Sequence, residues 1–141
     1  MKIEFSDILI IYFCNEYLKH KNYSIAKIED SFKDIFKNLK YNYGIEINGY
    51  YDIDVYIDKS YGIVIEMKKE EFDLDYYDQV DMTITFHNEK FLYEVDDISV
   101  NKKIYKYKNK YYVDKYIPEH SKIIYKTDRM LKCAKIIEIK T

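Results

Sequence analysis

The chain has 141 residues, 48% of them hydrophobic and 34% charged, which suits one domain spanning 1–141 and excludes intrinsic disorder and two large domains. Lys and Arg total 23 against 25 Asp and Glu, a net charge of −2, so no overall field steers the chain to nucleic acid or anionic lipid. No apolar run approaches the roughly 20 residues that span a bilayer, and Glu4 and Asp7 interrupt the apolar start with no small-residue cleavage pattern after it, so neither a transmembrane segment nor a secretory leader is expected.

Ser6 and Asp7 can cap a first helix over about residues 8–19, with Ile8, Ile11, Tyr12 and Leu18 on one side and Leu9, Ile10 and Phe13 broadening it. A helix so apolar should be buried or covered by a partner, which makes Ile8, Ile11 and Tyr12 candidate partner-interface residues. Ser24 opens a second helix in which Ile28, Phe32, Ile35, Phe36 and Leu39 recur at helical spacing, and Gly44 is its natural stop.

Beyond Gly44 the period changes to two. Ile53, Val55 and Ile57 alternate with Asp52, Asp54, Tyr56 and Asp58, and the acids read as a comb on a solvated sheet face. Residues 59–62 make a turn into a strand over 63–68, residues 71–76 continue the alternation, and a further strand runs over 79–86. His87-Asn88-Glu89 reads as a hairpin turn into a strand over 91–100, whose phase slips near Asp96 and Asp97. Residues 103–117 read as a hairpin around Lys108-Asn109-Lys110 that Pro118 ends, and a short helix is expected from about Asp128. The expected fold is α+β: two N-terminal helices, an antiparallel meander with one apolar face, and a short C-terminal helix.

The near-neutral total hides an asymmetry: residues 1–45 sum to +1, residues 46–100 to −11 and residues 101–141 to +8. Either the acidic and basic segments pair side by side in one sheet, or they form two faces with different partners. Cys14 and Cys133 are expected to be buried thiols, with a disulfide or a reactive thiol as the alternative. His20, His87 and His120 are remote from one another in sequence, and no metal or other cofactor is expected.

One constellation resembles an active site. Asp54, Glu66 and Lys68 form D-x11-E-x-K, with Asp52 nearby and Gln79 downstream, the pattern of metal-dependent PD-(D/E)xK nucleases. Glu66 and Lys68, two apart on a strand, share a face as that chemistry requires. Against it stand the comb of acids, the absence of a helical period after the E-x-K strand, and the acidity of a segment that would have to receive phosphate. There is no G-x-S-x-G and no glycine-rich phosphate loop, and the chain is not expected to be an enzyme. Near the other end, Lys103, Lys106, Lys108, Lys110 and Lys115 interleave with Tyr107 and its tyrosine neighbours. Such a surface suits pairing with the acidic strands, an anionic lipid headgroup or a single-stranded nucleic acid; one Arg against 22 Lys weakens the last.

The opening MKIEFSDILIIYFCNEYLKHKNYSIAKIEDSFKDIF, the core DIDVYID…GIVIEMKKEEFDLD…QVDMTITF and the Lys/Ile/Tyr/Asn usage together resemble the smallest OrfX proteins of clostridial botulinum-neurotoxin gene clusters. The resemblance spans the whole chain and rests on no short motif. It implies a non-enzymatic accessory protein, cytoplasmic or exported by a leaderless route with a toxin complex, that joins a larger OrfX partner and binds phosphoinositide. It also implies a reduced version of the TULIP architecture, a helix on a curved antiparallel sheet. The family supplies no functional residue that transfers by position. The alternatives are the metal-dependent nuclease, and a phage-type inhibitor whose acidic comb imitates nucleic acid.

Overall fold

The computed structural model describes residues 1–70, 80–96, 103–116 and 122–138. It is an α+β protein with two five-stranded sheets. The chain forms β1 (Lys2–Phe5), β2 (Leu9–Cys14), α1 (Asn15–Lys21), a 3-10 segment (Ile25–Ser31), α2 (Phe32–Tyr43), β3 (Gly49–Asp58), β4 (Gly62–Glu70), β5 (Val80–Asn88), β6 (Leu92–Val95), β7 (Lys103–Tyr107), β8 (Lys110–Val113), β9 (Ile123–Ile124), α3 (Asp128–Cys133) and β10 (Lys135–Glu138). The residues fall into two compact units, Met1–Val55 with Gly62–His87, and Tyr56–Tyr61 with Asn88–Thr141.

The first unit carries the sheet ordered β1-β2-β4-β3-β5. Here the expected first helix is corrected: residues 9–14 are a strand, and the helix begins only at Asn15. The run LIIYFC is β-branched and aromatic on both of its alternating faces, which suits a strand hydrogen-bonded on both sides, and β2 lies between β1 and β4. Helices therefore follow the first two strands instead of opening the chain. Ser6 and Asp7 sit in the β1–β2 turn, where the Ser6 N–H donates to the Ile8 carbonyl at 3.2 Å.

Leu9, Ile11 and Phe13 of β2 join Ile63, Ile65 and Met67 of β4 in a buried face, paired in register as Leu9↔Met67, Ile11↔Ile65 and Phe13↔Ile63. Each such side chain contributes about 1.5–3 kcal/mol by leaving water. The second helix forms as expected in its apolar stripe, with Ile28, Phe32, Ile35 and Leu39 all buried. Its first turns wind as a 3-10 segment, and Ser24 makes no side-chain cap. The Phe13 ring stacks on Tyr17 and meets Tyr23 edge-on, and the Tyr23 hydroxyl donates to Asp34 of α2, which ties the helix to this face. Gly44 ends α2 in the left-handed conformation at φ 67°, as its position predicts.

The second unit holds the sheet ordered β10-β7-β8-β6-β9. The expected hairpin between β5 and β6 is corrected, because the two strands belong to different sheets. Its apparent turn residues bond elsewhere: the Glu89 N–H donates to the Ile57 carbonyl at 2.9 Å. The expected hairpin at residues 103–113 is present, with Lys108 and Asn109 both at positive φ (48° and 63°), a two-residue turn of the kind favoured between antiparallel strands. The short helix at Asp128 is also present. It packs Met130, with Leu131 alongside, on Leu92, Tyr105 and Tyr112, and the chain then returns to the sheet as β10.

A second core of this unit is aromatic. The Tyr61 ring lies 4.8 Å from Tyr116 and 5.8 Å from Phe91, and Tyr93 lies 5.5 Å from Tyr116. Asp58, expected as part of the solvated comb, is instead only 7% exposed. Its Oδ1 accepts from the Ser60 hydroxyl and N–H at 2.5 and 2.7 Å and from the Tyr61 N–H at 3.2 Å, and its Oδ2 accepts from the Phe91 N–H at 2.7 Å. The expected strand over 71–76, Gln79, Pro118 and His120 lie outside the described residues, as do Asp97 and the rest of the strand expected to reach residue 100.

Candidate functional site

The D-x11-E-x-K residues do share one face of the first sheet. Glu70 and Asp52 meet across the β3–β4 hairpin through a shared carboxyl hydrogen bond, which raises the Glu70 pKa above the usual carboxylate range. Residues two apart on a strand point the same way, so Asp52 and Asp54 lie on the face of Glu66, Lys68 and Glu70. Each acid is differently placed, however. Asp54 is bound to His87 of β5 (Nε2 to Oδ1, 2.7 Å), an ion pair whenever the imidazole is protonated. Glu66 is only 8% exposed, level with Ile10 on β2, whereas Lys68 is exposed. Among the described residues no three His, Cys, Asp or Glu groups converge closely enough to hold a metal ion. The residues that a nuclease would need for its cation are thus co-facial without forming a ligand set.

The expected partner interface is placed differently. Ile11 is fully buried and Tyr12 is 7% exposed, while Ile8 is half-buried in the turn before β2. Ile11 belongs to the sheet's core face. Tyr12, on the other face, donates to Glu4 at 3.4 Å, and burial together with Glu4 and Glu66 pushes its phenol up to about 12. The surface expected on a helix is consumed by the chain's own sheet.

A groove of 380 Å³ replaces it, lined by Phe5 and Leu9, by Ile45, Glu46 and Ile47 after α2, and by Tyr51 and Met67 of the sheet, with Asp7 and Lys69 also on its wall. That volume lies in the range of ligand and side-chain pockets. The Phe5 ring is 65% exposed on its rim. Ile47 and Glu46 also wall a neighbouring 410 Å³ groove against Phe36 and Tyr41, where Lys33, Lys37 and Lys40 line the α2 side. Those lysines recur at i, i+4 and i+7, a like-charge stripe that costs helix stability unless something acidic meets it. Glu46 approaches only Lys40, at 4.0 Å. No sequence signal marks this site, since Ile45 and Ile47 sit in a connection without periodicity.

The basic hairpin is dispersed. Lys110 pairs with Glu94 at 3.3 Å, which Lys122 also approaches at 3.8 Å. The Lys103, Lys106 and Lys108 ammonium groups lie over the rings of Tyr105, Tyr111 and Tyr107 at 5.5, 5.8 and 5.3 Å. Lys108, at the turn, thus folds back onto the ring of the residue before it. Lys106 stands directly opposite Lys135 of β10, and Lys115 is exposed just after β8. Lys90 bonds to the Tyr105 hydroxyl (2.8 Å) and pairs with Asp114 (3.0 Å). Desolvation raises the Asp114 pKa, but the Lys90 contacts outweigh it and the net direction is down. Acidic β6 thus pairs with basic β8 in the second sheet, whereas the aspartates of β3 lie mostly in the first, beside a β4 whose two Glu and two Lys balance. Cys14 is half-buried and Cys133 exposed, both free thiols, so burial holds only partly for the first and not for the second.

No protein family, curated protein or solved structure matches this chain. No helix among the described residues is long and apolar enough to cross a membrane.

Proposed function

We propose that this chain is a non-enzymatic assembly protein that docks a larger protein partner, of the OrfX type that its sequence resembles, in the groove beside Phe5 and Ile47. The observation that carries this reading is the groove itself: a largely apolar trough with a 65% exposed Phe5 on one rim and, along its extension, a lysine stripe of which Glu46 approaches only Lys40. The segment it suits is apolar with acidic residues at one end, because Lys33 and Lys37 can then be neutralised on docking. Co-expression with the proteins encoded by neighbouring genes is expected to give a heterocomplex that survives purification. A chain that stays alone with every one of them argues against the proposal.

A second reading, binding of phosphoinositide membranes by the hairpin, is supported by the Lys106–Lys135 pair. Like charges directly opposite across a ladder destabilise it, and an anionic headgroup would relieve the repulsion. Lys106→Glu is expected to lower binding to phosphoinositide-containing vesicles at least about threefold, in line with the roughly 1 kcal/mol that each basic residue contributes near an anionic surface. Unchanged binding in a sedimentation assay removes the hairpin from consideration.

A further inference from the structure

We propose that β1 pairs with β1 of a second copy of this chain, antiparallel and centred on Ile3, so that two first sheets join edge to edge. β1 is the terminal strand of its sheet, and no described strand lies beyond it. Its outer N–H and C=O groups are therefore a template for another strand. Edges are often guarded by a lysine, and Lys2 alone would do so. Here Glu4 answers it two residues on, already bridged to Lys2 at 3.5 Å with both side chains about half exposed.

The sequence of this strand selects one register. Antiparallel pairings that keep apolar against apolar place Lys2 opposite itself, Lys2 opposite Glu4, or Glu4 opposite itself. Only the middle one, with Ile3 on the two-fold axis, brings opposite charges together, and it does so twice. Lys2 and Glu4 of both copies then form a two-by-two set of alternating charges on the face that carries Tyr12. On the other face Ile3 meets Ile3, and Met1 of each copy lies opposite Phe5 of the other. That covers part of an aromatic ring which the single chain leaves 65% exposed. The remaining alternatives set like charges in contact or turn the apolar residues onto the charged face. So short a strand gives a small interface, and the dimer is of the weak, concentration-dependent class. This pairing shares the Phe5 ring with the partner docking above but not Ile47 or the α2 lysines, so exchanges at Lys2 and Glu4 test it apart from Ile47→Asp.

Sedimentation velocity on the full chain, from about 10 µM to about 1 mM, spans the weak range that such an interface implies. The expected mass rises toward that of two copies with concentration. Lys2→Glu and Glu4→Lys, both at exposed positions, are each expected to raise the dissociation constant at least about tenfold, because each turns two attractive pairs into repulsive ones. The double exchange K2E/E4K restores the two opposite-charge pairs and is expected to recover the wild-type constant. As a second readout, Ile3→Cys in a chain whose Cys133 is serine is expected to form an interchain disulfide, since residue 3 faces its own copy. A wild-type chain that stays monomeric throughout, single reversals that associate normally, or a double exchange that fails to recover overturns the proposal.

Discussion

Gly62→Ala is expected to lower the unfolding free energy by about 3–5 kcal/mol, more than the same change at either of the other two glycines. Gly62 opens β4 at φ 134°, a conformation that side chains resist, and pairs with Cys14 at the end of β2. A Cβ there would lie 2.2 Å from the Phe13 carbonyl oxygen and 3.0 Å from the Asn15 nitrogen. Both obstacles are backbone atoms, one in β2 and one at the start of α1, so relief requires moving the end of β2 away from β4. Gly44→Ala is the matched control: it is also left-handed, at φ 67°, yet nothing lies within 4 Å of its added Cβ. Its cost is the conformational penalty alone, about 1 kcal/mol. Thermal and urea unfolding of the two variants should differ accordingly, and equal losses would contradict the close approach at Gly62.

Asp58→Ala is expected to cost about 2–4 kcal/mol. The carboxylate accepts from three backbone N–H groups and one hydroxyl, and its Phe91 donor belongs to a residue that is 0% exposed. Removing the carboxylate leaves a buried donor without an acceptor, while the aromatic cluster of Tyr61 and Phe91 loses the tie between its two chain segments. Asp58→Asn retains one acceptor oxygen but turns an NH2 toward one set of donors, so it should recover only part of the loss. Urea denaturation of both variants checks the order. An alanine variant within 0.5 kcal/mol of the wild type would show that water satisfies these groups instead.

Asp58 also shows what a sequence can and cannot disclose. Its place in the alternation put it in a solvated comb, yet Asp-Lys-Ser is the local pattern by which an aspartate bonds the backbone two residues on, and that signal was there to be read. The alternation of 51–58, the stop at Gly44, the Lys108-Asn109 turn and the helix at Asp128 were legible because each depends on local conformation or one-sided burial. Residues 8–14 were not, because a strand apolar on both faces and a buried helix give the same pattern over so short a run. The break between β5 and β6 depends on the Glu89 N–H reaching Ile57, a bond between residues distant in sequence. The same holds for His87 meeting Asp54, 33 residues away. The groove at Phe5 and Ile47 was hidden for a related reason: its walls come from a strand edge, a helix end and an irregular connection, none of which carries a periodic signal.

Co-purification of the tagged chain with the products of its neighbouring genes, wild type beside Ile47→Asp and read by native mass spectrometry, tests the docking proposal most directly. Ile47 walls both grooves and is only half-buried, so a charge there should spare the fold and spoil the trough. The account predicts a heterocomplex with the wild-type chain that falls at least about tenfold with Ile47→Asp, as burying an unpaired carboxylate against apolar surface requires. A wild-type chain that captures no partner, or a complex that tolerates Ile47→Asp unchanged, would contradict it.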